Sequence, residues 1–125
     1  MGTRADLITL RGVSAVGYHG VLDFERRDGQ TFVVDAVLHS DFAEAAASDD
    51  LAHTASYAEI AERITQIVEG DPVNLIETLA VRIAEMVLGE FPAIEAAEIT
   101  VHKPKAPIEV PFDDVAVTVF RGRQA

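Results

Sequence analysis

The sequence contains no cysteine among its 125 residues. Thiolate metal ligands, disulfide bonds and a cysteine nucleophile are therefore excluded, and the composition is compatible with a reducing cytoplasm. Positive charge is also scarce, because 10 Lys and Arg residues stand against 21 Asp and Glu residues, giving a formal net charge of −11. This charge repels nucleic-acid backbones and anionic lipid headgroups, so we expect neither as a partner.

Long apolar runs are absent as well. No stretch of about 18 apolar residues occurs, and residues 1–6 carry none, so we expect a soluble, cytoplasmic protein that is not exported. With 49% hydrophobic and 25% charged residues, the chain is predicted to form one compact domain over residues 1–125. A domain of this size often completes its burial by forming oligomers.

Several catalytic motifs are missing from the sequence. It has no Gly-x-Ser-x-Gly elbow, Walker loop or dinucleotide-binding fingerprint, which argues against serine hydrolases, nucleoside triphosphatases and ordinary dehydrogenases. Its four histidines, at positions 19, 39, 53 and 102, do not have the spacing of metal ligands. We therefore predict no metal site.

Hydrophobic periodicity predicts six elements in the order strand, strand, helix, helix, strand, strand. Alternation predicts strands at 7–12, 31–42, 98–102 and 115–119, the first two pairing as an antiparallel hairpin. Helical spacing predicts amphipathic helices that begin after the caps Ser56 and Asn74 and end near Gly70 and Gly89.

These elements indicate an α+β fold, in which a four-stranded antiparallel sheet carries two helices on one face. Val33 and Val37 fall on the face opposite Phe32 and Val34. We expect that second apolar face to meet another subunit.

The two lysines of the chain, Lys103 and Lys105, share one loop that prolines stiffen. A lysine partly removed from water loses proton affinity and can serve as an acid or base near neutral pH. The alternative is a pair of solvated loop cations, which is the usual state of lysine.

Three further residues have both a functional and a structural interpretation. Glu77, in the first turn of the second helix, either caps free amides or accepts paired hydrogen bonds from a planar donor group, as carboxylates do with guanidinium. Glu25 lies in a polar run where an exposed salt bridge is the default, and Tyr57 is typical of a core or boundary tyrosine.

Taken together, five motifs resemble the dihydroneopterin aldolase family. They are Gly17-Tyr18-His19-Gly20 with Glu25, Gly29-Gln30-x-Phe32, Thr54-x-x-Tyr57, Asn74-Leu75-Ile76-Glu77 and Val101-His102-Lys103-Pro104. The resemblance implies the tunnelling fold, in which sheets of neighbouring subunits close into a barrel, as tetramers that stack into octamers.

The resemblance also implies a reaction. The family cleaves 7,8-dihydroneopterin in a retro-aldol step to 6-hydroxymethyl-7,8-dihydropterin and glycolaldehyde during folate biosynthesis, with epimerisation at the 2′ carbon as a related activity. It implies neither cofactor nor metal, and no Schiff base, because the conjugated imine of the substrate accepts the electrons.

Residue by residue, Lys103 matches the family's catalytic lysine, which acts near ring N5 through an ordered water. Tyr57 matches the tyrosine that assists proton transfer to the enol-like intermediate. The resemblance places the pocket between subunits, with Ala55 and Tyr57 contributed across the boundary.

The remaining matches concern substrate binding. Glu77 matches the carboxylate that anchors the amino-pyrimidine edge, and the backbone of Leu75 and Ile76 completes that pocket. Glu25 matches the glutamate that closes the site beside Leu22.

Other functions stay open on the sequence. A sister family epimerises dihydroneopterin triphosphate, and Arg26-Arg27 could hold phosphates. A non-catalytic pterin-binding module and a purely structural oligomer are further alternatives. Zinc-dependent relatives of the same fold lack support, since the Cys or clustered His ligands are missing.

Overall fold

The computed structural model describes residues 5–123, so residues 1–4 and 124–125 of the predicted domain lie outside the described part. The elements run in the order β1 (Asp6–Gly17), α1 (Asp23–Asp28), β2 (Gln30–Ser40), α2 (Ala43–Ser48), a 3-10 helix (Leu51–His53), α3 (Tyr57–Glu69), α4 (Ile76–Glu90), β3 (Ala96–His102) and β4 (Ala116–Gly122).

The four strands form one sheet in the order β1-β2-β3-β4, and every neighbouring pair is antiparallel. Strands β1 and β2 pair as the antiparallel hairpin predicted from the alternation, whereas the connection from β2 to β3 contains both long helices. The predicted α+β class and the antiparallel sheet are confirmed.

Strand β1 is longer than the sequence pattern predicted. The expected end at Gly12 is wrong, because Gly12 takes a φ of 74° inside a bulge between Leu10 and Val13, after which the pairing with β2 resumes. A glycine tolerates this backbone conformation without a Cβ clash. The amide of Gly12 donates to Oδ1 of Asp35 at 2.8 Å, and the strand then continues to Gly17.

Both long helices cover the same face of the sheet. The side chains buried between the layers are Phe32, Val34, Ala36 and Leu38 from β2, Ile60, Ile64 and Val68 from α3, Leu79, Ile83 and Val87 from α4, and Ala97, Ile99 and Val101 from β3. Val33 and Val37 are only half-buried, as expected for the face without helices. None of the helices between residues 5 and 123 is long and apolar enough to cross a bilayer.

The helix starts match the sequence in one case only. Ser56 caps α3 as predicted, its Oγ accepting from the amide of Glu59 at 3.3 Å. The predicted cap Asn74 is wrong, because Leu75 occupies that position and the Asn74 side chain instead accepts a hydrogen bond from Arg26. The sequence pattern also missed α1, α2 and the 3-10 helix, which are too short for a helical repeat to show.

Candidate active site

The centre of the candidate site is an ion pair between Lys103 and Glu25. Lys103 follows the last residue of β3, where its amide donates to the carbonyl of Val115 at 2.8 Å. Its Nζ lies 2.7 Å from Oε2 of Glu25, and the two side chains are only 12% and 2% exposed. Charged groups are removed from water in this way only when they are paired, so each side chain fixes the other.

Glu25 reaches this buried position from the first turn of α1. The Leu22 amide donates to its Oε1 and the Gln30 amide group to its Oε2, both at 3.3 Å. Burial alone would raise the pKa of the Glu25 carboxyl, but the Lys103 ammonium and the two amide donors outweigh it and hold that pKa below its usual value. Glu25 is therefore a buried carboxylate that holds the Lys103 side chain beside it.

Two of the structural interpretations are corrected by this pair. The exposed salt bridge expected for Glu25 is wrong, since the carboxylate is buried and pairs with Lys103, a residue distant in sequence. The interpretation as a solvated loop cation is wrong for Lys103, which is paired and largely removed from water. It fits Lys105, which is exposed. The two neighbouring lysines thus have different environments, and only Lys103 lies in a site.

A pocket of about 390 Å³ surrounds the ion pair. Six of the eight predicted site residues line it, namely Leu22, Glu25, Leu75, Ile76, Glu77 and Lys103, together with Val21, Asn74 and Pro107. The start of α4 supplies one wall, where the first backbone amides have no acceptor within the helix. Glu77 is exposed there, so this wall presents a carboxylate and free amide donors beside the Lys103 ammonium.

The other two predicted residues lie elsewhere in the same chain. Ala55 and Tyr57 line a separate concavity of about 510 Å³ with mainly apolar walls, including Ile8, Phe42 and Leu51. Tyr57 is 63% exposed, so it is not a core tyrosine. Neither residue lines the pocket of Lys103, so one chain holds the candidate residues as two separate groups.

His19 is a buried residue that does not line the pocket and that sequence reasoning treated only as part of a motif. Its Nδ1 accepts from the Val73 amide at 3.0 Å, and its Nε2 donates to the Val68 carbonyl at 2.7 Å. Full burial is the main cause that lowers the pKa of His19, so the ring is neutral. It fastens the end of α3 to the segment that leads into Leu75. In the sequence, the glycines at 17 and 20 on either side of His19 were the signal that could have drawn attention to it.

Within residues 5–123, no group of three or more His, Asp or Glu side chains is arranged to hold a metal ion.

Comparison with known proteins identifies close relatives. The family model described as FolB, dihydroneopterin aldolase, matches residues 8–120. The dihydroneopterin aldolase of Streptomyces coelicolor is 56% identical over 118 residues, which is 94% of this chain and 98% of that protein. The enzyme of Bacillus subtilis with the same name is 41% identical over 116 residues, 93% of this chain and 97% of its own.

A solved structure gives the same result in three dimensions. The crystal structure of E. coli dihydroneopterin aldolase in complex with neopterin superposes with a TM-score of 0.84 at 34% identity. The match covers 94% of this chain and 99% of that one.

Proposed function

The chain belongs to the dihydroneopterin aldolase family and is a lyase of that kind, and we propose that its substrate is 7,8-dihydroneopterin. The products are 6-hydroxymethyl-7,8-dihydropterin and glycolaldehyde, formed on the route to folate. The observation that carries this proposal is the Lys103–Glu25 pair in one pocket with the Glu77 carboxylate. The E. coli relative, solved with neopterin, supports a pterin as the ligand.

In this proposal, the residues at the start of α4 bind the pterin. An amino-pyrimidine ring presents adjacent N–H and NH₂ donors, which match the two oxygens of a carboxylate in a paired hydrogen bond. Glu77 supplies that carboxylate, and the backbone of Leu75 and Ile76 completes the edge. Leu22 and Glu25 close the pocket from the opposite wall.

Cleavage needs proton transfers and an electron acceptor. An ordered water takes the 2′-hydroxyl proton as the C1′–C2′ bond breaks, glycolaldehyde leaves, and the bonding electrons move into the C6=N5 imine of the ring. Lys103 delivers a proton toward N5 through an ordered water, since Glu25 holds its side chain in place at 2.7 Å. Tyr57 then assists protonation of the enol-like intermediate at C1′, while N5 returns its proton to the water and the C6=N5 imine is restored.

This chemistry places the electrons in the substrate, so no Schiff base or cofactor is required. Lys103 acts as an ammonium paired with Glu25, whereas a Schiff base needs a neutral amine. Reduction with borohydride in the presence of substrate therefore leaves the mass of Lys103-containing peptides unchanged. A reduced adduct on Lys103 would contradict this part of the mechanism.

A second copy of the chain completes the site. Tyr57 and Ala55 belong to the separate apolar concavity, and Leu51 there is 64% exposed. Apolar surface of this kind is typical of an interface between subunits. In the assembly we propose, sheets of neighbouring subunits close into a barrel, as a tetramer or octamer, and bring Tyr57 of one subunit to Lys103 of the next.

Epimerisation at C2′ follows from the same intermediate when glycolaldehyde adds back through its other face. The triphosphate substrate of the sister family is a weaker candidate. Arg26 already donates through Nε to the Gly20 carbonyl at 2.9 Å and through Nη2 to Asn74. Arg27 pairs with Asp28 at 2.9 Å, so both guanidinium groups are engaged.

A product assay tests the proposal directly. Purified protein is incubated with 7,8-dihydroneopterin and, separately, with its triphosphate, and the cleavage product, glycolaldehyde and the 2′ epimer are separated and quantified. We expect glycolaldehyde from the free substrate at a rate well above that from the triphosphate. Tight pterin binding without any product would instead indicate a binding module.

A further inference from the structure

A second group of charged side chains lies on the face of the sheet without helices. It consists of Asp35 on β2, His102 at the end of β3 and Asp114 in the loop 103–115. Nε2 of His102 lies 2.7 Å from Oδ2 of Asp35, and Nδ1 lies 2.6 Å from Oδ2 of Asp114. We call these three residues the His102 clamp.

The two contacts of the clamp define the charge of the ring. A neutral imidazole has one donor and one acceptor nitrogen, whereas both nitrogens here face carboxylate oxygens. Both hydrogen bonds form only with the imidazolium. Asp114 and then Asp35 raise the pKa of His102 above its usual value, although partial burial opposes them.

The surroundings of the clamp leave these two carboxylates as its main charges. On β1, Arg11 acts on Asp35, whose other oxygen accepts from the Gly12 amide. The strand partners of His102 are Val33 on β2 and Ala116 on β4, which carry no charge.

The clamp adjoins the candidate catalytic lysine. His102 directly precedes Lys103, and the Lys103 amide donates to the carbonyl of Val115, directly after Asp114. The base of the loop 103–115 is therefore closed by two adjacent links, one from the backbone and one from the clamp. The same loop contributes Lys103 and Pro107 to the pocket.

We propose that His102, held as an imidazolium between Asp35 and Asp114, is a positioning residue that sets the place of Lys103 in the pocket. The inference rests on the proposed role of Lys103. When His102 loses its proton, one nitrogen turns a lone pair toward a carboxylate and that contact is lost. The contact with Asp114 is the more exposed of the two, so it is the one that breaks. The loop 103–115 then loses its link to His102 on the sheet, and the Lys103 side chain moves.

Two variants and one control test the clamp. His102→Ala removes the hydrogen bonds of the ring to Asp35 and to Asp114. Asp114→Asn keeps the shape of the side chain and offers an amide that can form a hydrogen bond with either protonation state of the ring. Thr118→Val is the matched control, because the Thr118 hydroxyl bonds Thr100 at 2.8 Å on the same face without touching the loop. Each protein is assayed for kcat between pH 6 and pH 9 and for pterin affinity by fluorescence.

We expect His102→Ala to lower kcat by about tenfold or more, because small displacements of a catalytic group are costly, with pterin affinity within about threefold. The wild type should lose kcat as pH rises through the raised pKa of His102, and Asp114→Asn should lose that part of the pH dependence. Thr118→Val should behave as the wild type.

Other outcomes overturn the inference. If His102→Ala and Asp114→Asn lower thermal stability but keep the wild-type kcat and pH profile, the clamp is only structural. Lys103→Ala is assayed alongside to separate the two claims. An inactive Lys103→Ala with unaffected clamp variants contradicts the role of His102 alone, whereas an active Lys103→Ala contradicts both roles.

Discussion

Gly20 and Glu25 lie against each other so closely that only a hydrogen fits between them. A Cβ atom on Gly20 would lie 2.4 Å from the carboxyl carbon of Glu25, and the φ of Gly20 is 150°. The glycine is what allows the carboxylate to sit under the turn and meet Lys103.

Replacing this glycine tests the contact. Gly20→Ala should displace Glu25 and destabilise the fold by more than about 1 kcal/mol, because the alanine strains the backbone as well. We expect kcat to fall by about tenfold or more as the ion pair is displaced. Gly89→Ala is the matched control, since a Cβ there meets nothing within 4 Å. That helical change should stabilise the protein by about 0.5–1 kcal/mol and keep kcat. Equal effects of both changes in urea unfolding and kinetics would argue against the contact.

Glu77 should act mainly in binding. Glu77→Gln replaces one carboxylate oxygen with a donor, so it should weaken pterin affinity by about 10- to 100-fold, corresponding to the loss of one charged hydrogen bond. The control is Glu85→Gln, an exposed carboxylate on the same helix away from the pocket. Fluorescence titration with a pterin measures both. Unchanged affinity in Glu77→Gln, or an equal loss in Glu85→Gln, would leave Glu77 without this role.

The sequence predicted the long elements well because their burial follows a regular period. The alternation around Phe32 and the helical spacing around Ile60 each reflect one buried face, and the structure confirms both. The bulge at Gly12 and the short helix α1 were not predicted. A single residue with positive φ, or a helix of six residues, produces no periodic pattern of hydrophobic residues in the sequence.

The site was less accessible to local reasoning. Glu25 stands in a polar run, and its burial depends on pairing with Lys103, which the fold brings near from the end of β3. Asn74 is a residue type that commonly caps helices, but its side-chain oxygen accepts a hydrogen bond from Arg26 instead. Pairing across long sequence distances is decided by tertiary packing, so the proline-stiffened loop pointed to Lys103, but only the family resemblance pointed to a role for Glu25.

Acid should destabilise the protein through His19. Burial lowers the pKa of His19 below 6.5, so the unfolded chain binds this proton more readily than the folded one. Stability should therefore fall as pH drops below about 6.5, because protonation favours the unfolded state. Urea unfolding at several pH values measures the slope. His19→Gln should be less stable at neutral pH but show a smaller loss between pH 7 and pH 5. An unchanged slope would contradict the assignment.

The proposed division of the site between two copies predicts complementation. Lys103→Ala and Tyr57→Phe subunits, co-expressed with different tags and purified through both, should recover about a quarter of wild-type activity if copies mix randomly. Some interfaces then combine an intact Lys103 with an intact Tyr57. Mixing Lys103→Ala with Glu77→Ala is the control, because both changes damage the same pocket of one chain and no interface is restored. No recovery in the first mixture would contradict the contribution of Tyr57 across the boundary between subunits.

The most direct test of the central claim is the Lys103→Ala variant, measured for glycolaldehyde release and pterin affinity on the same sample. Removing the buried partner of Glu25 should also destabilise the fold, so the folded fraction is determined by circular dichroism first. The account predicts that turnover of 7,8-dihydroneopterin is abolished while the folded protein binds the pterin with affinity within about threefold of the wild type. Turnover near the wild-type rate, or loss of binding with retained turnover of the bound fraction, would contradict it.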